Sequence, residues 1–453
     1  MTGKELLFKT LRHEDVERAP WVPFAGVHAG KLKGYTATEV LTDGEKLYES
    51  LMEVHRLFMP DGMPVVFDLQ LEAEILGCDL MWADDNPPSV MSHPLEGSDD
   101  LKLDRFVEPT DGRIPLVMDV CRRMKESVGD TTALYGLFCG PFTLVSHLRG
   151  TKLFMDMKKR PEIVKQLMDY AVENAYRMID YFCDNGMDII APVDPLISQI
   201  SPKNFTEYMT DPYTRIFDYI RKKGKFSAFF VCGNALRNID VMCETNPDAI
   251  SIDENIPMAT AKAITDKYNV TIGGNIPLTT TMLFGNQMDN MKFVVDMVDS
   301  LDSIKNLIIA PGCDMPYDVP LENTIAVSEA ARDLDKAREL VKNYEAVDDD
   351  IEVEIPDYDN LPRPLLEAFT LDSASCAACT YMWATACDAK EKYGDKIDVI
   401  EYKYNKRENI ARCKKMGVTN LPTLYINGQP KYVSIIPSHD EFYAVIDELL
   451  KKY

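Results

Sequence analysis

No apolar stretch in this 453-residue chain approaches the roughly 18 residues that a membrane-crossing helix needs. The opening segment, MTGKELLFKTLRHEDVERAP, is charged throughout and lacks the apolar core of a secretory signal, so a cytoplasmic protein is expected. Positive charge is scarce: 49 Lys and Arg stand against 73 Asp and Glu, a net charge of −24. Such a surface repels phosphate backbones and anionic bilayers, which argues against nucleic-acid and membrane partners. No glycine-rich loop follows the first strand-like run, which disfavours a phosphate-cradling open sheet. Internal repeats and low-complexity tracts are missing too. The 11 cysteines are an odd number, and Cys78, Cys121, Cys139 and Cys183 lie in apolar surroundings. They read as small buried hydrophobes kept reduced, not as an extracellular disulfide framework.

What is present is a long alternation of buried strands and amphipathic helices, with 46% hydrophobic residues to build two or three domains. Strand-like runs are PWVPFAG (20–26), PVVFDL (64–69), ALYGLF (133–138), DIIAPVD (188–194), SAFFVC (227–232), AISIDE (249–254), VTIGGNI (270–276) and LIIAPGC (307–313). Between most of them lie helical segments, such as Pro161–Cys183, whose apolar face is interrupted by Asn174. Thr42-Asp43-Gly44-Glu45 reads as a capping box opening another helix. This order predicts an α/β fold, a (β/α)8 TIM barrel over 1–346 closed by a helix from Leu321 to about Ala346. The run ends carry Asp68, Cys139, Asp194, Cys232, Asp253 with Glu254, Asn275 and Cys313. In a barrel these gather at one mouth.

Residues 347–363, acidic and proline-punctuated, read as a linker. The remainder, 364–453, has the order β-α-β-α-β-β-α, with a hairpin at Asn427-Gly428. Cys376 precedes a helix and Cys379 lies one turn into it. Exposed amides at a helix start stabilise a thiolate, and the second cysteine can resolve a mixed disulfide. Together with Asn420-Leu421-Pro422-Thr423, this segment resembles the thioredoxin/glutaredoxin superfamily. The resemblance implies a small α/β redox domain in which Pro422 is cis beside Cys376, with Cys376, Cys379 and Pro422 as its catalytic group. Cys387 and Cys413 are expected in the core.

Cys232 in FFVCGN and Cys313 in IIAPGCDMP place two thiolates at the barrel mouth, where soft sulfur ligands suit zinc. FFVCGNALRNIDVM, DAISIDE, IGGNIP and LIIAPGCDMPYDVP, with CGPFTLVSHLRG and ISPKNFTEYMTDPY, resemble the uroporphyrinogen decarboxylase superfamily. Within it they look most like the corrinoid-linked, methylcobamide:coenzyme M-type methyltransferases. That resemblance implies zinc held by a His-x-Cys pair and a distant Cys. By position the cysteines are Cys232 and Cys313, but Phe230 stands at the histidine place. Glu72, His93 or Glu254 are the candidate third ligands. Asp194, Asn275 and His147 are the candidate substrate contacts. The expected activity is methyl transfer between a corrinoid, free or protein-bound, and a small acceptor or donor, with the redox module keeping Cys232 and Cys313 reduced. A thiol–disulfide oxidoreductase whose barrel recognises a client, and a porphyrinogen-type decarboxylase, are the alternatives. The arginine cluster that would hold an acidic porphyrinogen is missing from the first strand region. The sequence leaves a homo-oligomer open.

Overall fold

A computed structural model describes residues 1–97, 101–345, 351–374 and 377–453. The described chain forms two compact units, the first of residues 1–197 and 201–345 and the second of residues 198–200 and 351–453.

The first unit is built on a parallel sheet of seven strands: β1 (Gly62–Pro64), β2 (Ala133–Cys139), β3 (Ile189–Val193), β4 (Phe226–Phe230), β5 (Ala249–Ser251), β6 (Thr271–Ile276) and β7 (Leu307–Pro311). Each pairs in parallel with the next in sequence, as right-handed crossovers through helices require. The segment around Trp21 fills the gap between the sheet's edges. It bridges Ile309 of β7 through Ile309 N to Pro20 O at 2.8 Å and Val22 N to Ile309 O at 2.9 Å. On its other side Asp61 N donates to Trp21 O at 2.9 Å, next to β1. The result is a TIM-barrel-like curl. Trp21 makes only an isolated bridge because Pro20 and Pro23 lack the N–H a ladder needs.

Alternate residues of the strands point inward. Tyr135 and Leu137, Ile189 and Ala191 and Val193, Ala228 and Phe230, and Ile308 and Ala310 form one cluster with Phe24 and Phe67. Leu7 and Leu11 of the helix Gly3–Leu11 join the same cluster. On the outside, the helix Pro161–Asp184 runs as the periodicity predicts. Asn174 interrupts its apolar face usefully: its Oδ1 accepts from Val107 N at 3.0 Å and its Nδ2 donates to Tyr170 O at 3.0 Å.

Two local expectations need correction. The helix Gly44–Phe58 is capped by Asp43 alone, whose Oδ1 accepts from Glu45 N at 2.9 Å and Lys46 N at 3.2 Å. Thr42 instead ends the helix Ala37–Thr42. The single helix expected after Leu321 is two, Leu321–Arg332 and Leu334–Val341, because Asp333 turns out of the helical region and caps the second through Lys336 N at 3.0 Å.

The second unit has a four-stranded sheet of β8 (Leu365–Thr370), β9 (Asp398–Lys403), β10 (Thr423–Ile426) and β11 (Gln429–Val433), ordered β9-β8-β10-β11. β8 and β9 are parallel, whereas β10 runs antiparallel to both β8 and its other neighbour, β11. The helices Ala377–Tyr393, Arg407–Met416 and His439–Leu450 complete the predicted order. The hairpin turns at Asn427 and Gly428, both with positive φ, and Gly428 must be glycine because the Tyr358 ring lies against it. Tyr358 also donates to Glu367 Oε1 at 3.0 Å, and Lys415 Nζ donates to Val353 O at 2.7 Å. The described part of the acidic stretch is therefore packed on this unit. Cys413 is in the core as expected, but Cys387 is exposed on its helix.

Candidate active site

The C-terminal strand ends of the first unit bring Cys232 and Cys313 together. Cys232 lies just past β4 and Cys313 just past β7, with Cα atoms 6.0 Å apart, and their sulfurs form a disulfide. Both residues are partly exposed. Their loops are tied down by the neighbouring strands. Gly233 N donates to Asp253 Oδ2 at 2.8 Å, Gly312 N to Ile276 O at 3.0 Å, and Met315 N to Phe24 O at 2.8 Å. Phe230, at the histidine place of the resemblance, points into the barrel interior and is 3% exposed. Its ring centroid lies 4.8 Å from that of Phe24, 6.3 Å from Tyr135 and 6.4 Å from Phe67. Apolar contacts therefore fill that position.

Acidic side chains surround this floor. Asp68, just past β1, is buried against Arg113, which also pairs with Glu74 at 2.9 Å and stacks on Trp82. Glu72 accepts from Cys139 N at 2.9 Å through Oε1, while its Oε2 has no partner. Burial, reinforced by the charge of Asp68, pushes Glu72 up to about 8, so at neutral pH it holds its proton and can donate. Glu254 accepts from Leu278 N and is pushed up to about 8 by burial and then by Asp253. Asp314 presses its carboxyl onto Gly26, and its Oδ1 has no partner. Asp253 accepts from Gly233 N and from Asn255.

The three expected substrate contacts fall in different settings. Asp194 is fully buried and accepts from Phe142 N at 2.9 Å, Thr143 N at 3.1 Å, Thr143 Oγ1 at 2.6 Å and Tyr213 Oη. Four donors occupy the lone pairs of both oxygens. Burial nevertheless raises its pKa to about 6. Asp194 thus caps the helix Pro141–Arg149 at the end of β2. Asn275 donates to Asp253 O at 3.0 Å and Ile256 O at 2.6 Å, fixing the loop after β5. His147 is 3% exposed, its Nδ1 lacks a partner, and burial lowers its pKa to about 3. His93 Nδ1 meets His147 O at 2.7 Å.

Zinc needs three or four protein ligands around one ion. Here the two sulfurs are bonded to each other, Phe230 is packed in the core, and no group of three or more His, Cys, Asp or Glu is gathered among the described residues. As placed, this donor set does not fit the metal that the resemblance implies, and no step below runs through it. Arg113, Tyr213 and Asp314 are site residues that the sequence reading did not single out. Each is defined by a partner remote in sequence, and none carries a local motif.

In the second unit Cys376 lies outside the described residues. Cys379 is buried in the helix Ala377–Tyr393, and its sulfur accepts from Leu371 N at 3.3 Å. The Leu421–Pro422 peptide bond is cis, and Pro422 O accepts from Ser434 N at 2.9 Å.

Comparison with known proteins matches this architecture to one family. Methylcobamide:CoM methyltransferase MtbA of Methanosarcina acetivorans is 27% identical over 350 residues, covering 76% of this chain and 98% of the relative. Uroporphyrinogen decarboxylase of Prochlorococcus marinus is 24% identical over 347 residues, covering 73% and 97%. A solved structure of a methyltransferase from Methanosarcina mazei superposes with a TM-score of 0.67 at 23% identity, covering 74% of this chain and 99% of that one. The uroporphyrinogen decarboxylase (URO-D) family pattern matches residues 2–334. The chain belongs to the uroporphyrinogen decarboxylase family.

Proposed function

We propose that the first unit is a corrinoid-dependent methyltransferase. It moves a methyl group between a methyl-corrinoid, free or carried by a partner protein, and a small acceptor or donor in the barrel mouth. The observation that carries this reading is the likeness to methylcobamide:CoM methyltransferases along 98% of the relative's length. Two cysteines that meet from the ends of β4 and β7, Cys232 and Cys313, add to it. In such a transfer the methyl leaves cobalt without the bonding electrons and the acceptor supplies the pair for the new bond. The aromatic floor of Phe24, Phe67 and Phe230 excludes water from that event. Protonated Glu72 presents a donor from its unpartnered Oε2. Glu254, just past β5, also holds a proton near pH 7. His147 offers a neutral nitrogen to the substrate, while Asp194 and Asn275 position the loops.

The second unit acts as a thioredoxin-like module, with Cys376 attacking and Cys379 resolving a disulfide. Its strand order supports this role. Decarboxylation is the runner-up, since relatives of that name align at 24% identity. Arg113 is already engaged by Asp68 and Glu74, which leaves little positive charge to hold a polyanionic porphyrinogen.

Variants of the full chain separate these readings. Under excess reductant, Cys376→Ser should retain methyl transfer and lose disulfide exchange, and Cys232→Ser should lose methyl transfer. A decarboxylase would be indifferent to both. Methyl transfer that survives Cys232→Ser and falls with Cys376→Ser contradicts the assignment.

A further inference from the structure

The two barrel cysteines differ from five single, buried thiols of the chain. Burial pushes Cys78, Cys243 and Cys413 up to about 12 and Cys121 and Cys139 higher still, so these remain protonated and unreactive. Cys232 and Cys313 are instead partly exposed and joined. The loops that carry them are held on separate strands by Asp253, by Ile276 and by Phe24. Breaking the bond therefore need not release either loop, and the sulfurs stay within reach of each other in both states. The position that would give a metal its third ligand holds Phe230, locked in an aromatic cluster. A reduced pair thus presents two thiols and no complete metal cage.

We propose that Cys232–Cys313 is a reversible thiol–disulfide exchange site in the barrel mouth, whose substrate is a dithiol. This goes beyond the methyl-transfer reading and does not rest on it. One thiolate of the dithiol attacks a sulfur of the Cys232–Cys313 bond, forming a mixed disulfide and releasing the other cysteine as a thiolate that takes up a proton. The second thiol of the reductant then attacks the mixed disulfide, releasing the remaining cysteine and closing the reductant's own disulfide. Two electrons and two protons pass from reductant to pair. The reverse step consumes an oxidised dithiol in the same ratio. In the oxidised state the mouth holds no thiolate from these residues, and in the reduced state it holds two sulfurs at the ends of β4 and β7.

The test uses the full-length wild-type protein, which avoids variants that fail to fold. Aliquots are equilibrated in buffers of graded reduced-to-oxidised dithiothreitol, quenched in acid, alkylated, and read as separate peptides by mass spectrometry. Cys232 and Cys313 should become alkylatable together, the reduced-to-oxidised ratio of the pair rising tenfold for each tenfold rise in the buffer ratio. The Cys121 and Cys139 peptides should not change across the series. In Cys232→Ser, Cys313 should be alkylatable throughout. A parallel series with zinc chloride alone should leave the wild-type transition in place. Two outcomes overturn the proposal: both cysteines alkylatable even in the most oxidising buffer, or zinc at one equivalent shielding both from alkylation under reductant. Neither readout is an activity, so failure here is distinguishable from failure of the methyl-transfer reading.

Discussion

His28 shows how one buried ring can set an acid limit. It is fully buried, its Nδ1 donates to Tyr317 O at 2.9 Å, its Nε2 lacks a partner, and it stacks on Phe58. Burial lowers its pKa from 6.5 to about 4. The folded state therefore binds fewer protons than the unfolded state between those values. Its stability contribution is complete above pH 6.5 and is lost as pH falls towards 4. His28→Gln should remove up to one proton from the pH dependence, flattening unfolding free energy by as much as ~1.4 kcal/mol per pH unit in that window. Asp194, raised to about 6, acts in the opposite direction, so the comparison must be wild type against variant, by urea titration at each pH. An unchanged slope would mean that His28 titrates normally.

Gly26 and Asp314 form a second residue-level dependence. Gly26 has φ +35°, and a Cβ there would stand 1.9 Å from Asp314 Oδ1. Gly26→Ala should destabilise the first unit by about 1–3 kcal/mol, the usual cost of overpacking. Gly26→Ala combined with Asp314→Ala should recover part of that loss in a double-mutant cycle. Strict additivity would show that the two do not meet.

Among the elements, β4 carries the greatest local commitment. Phe230 closes the strand against Phe24, Phe67 and Tyr135, so Phe230→Ala should cost about 3–5 kcal/mol by urea denaturation of the first unit. A loss under about 1 kcal/mol would mean that the cluster collapses around the gap. The same strand shows what the sequence makes legible. An apolar run ending in polar residues marks a buried parallel strand, and β2, β3, β4 and β6 fall within a residue or so of the runs that predict them. Prolines blur the first two runs. Pro64 ends β1 just where the run PVVFDL begins, and Pro20 and Pro23 reduce the first run to one bridge. Asp333 breaks a helix that periodicity alone draws as continuous. In the site, the meeting of Cys232 and Cys313 at one mouth is readable from strand ends, but their bond is not. Arg113 on Asp68 and Tyr213 on Asp194 depend on three-dimensional contacts that leave no trace in spacing.

For the whole molecule, the family match ends at residue 334, and the second unit's four-stranded sheet lies beyond it. Arg113 is held beside the barrel strands by Asp68 and Glu74. Among the described residues no helix is long and apolar enough to cross a membrane. The central claim is that this barrel moves methyl groups. Its most direct test is to offer the reduced full-length protein methylcobalamin with a small thiol, and separately uroporphyrinogen, following the corrinoid spectrum and carbon dioxide release. Loss of the methyl–cobalt absorbance with formation of the methylated thiol, and no carbon dioxide, is the predicted result. Carbon dioxide release with an unchanged corrinoid spectrum would contradict it.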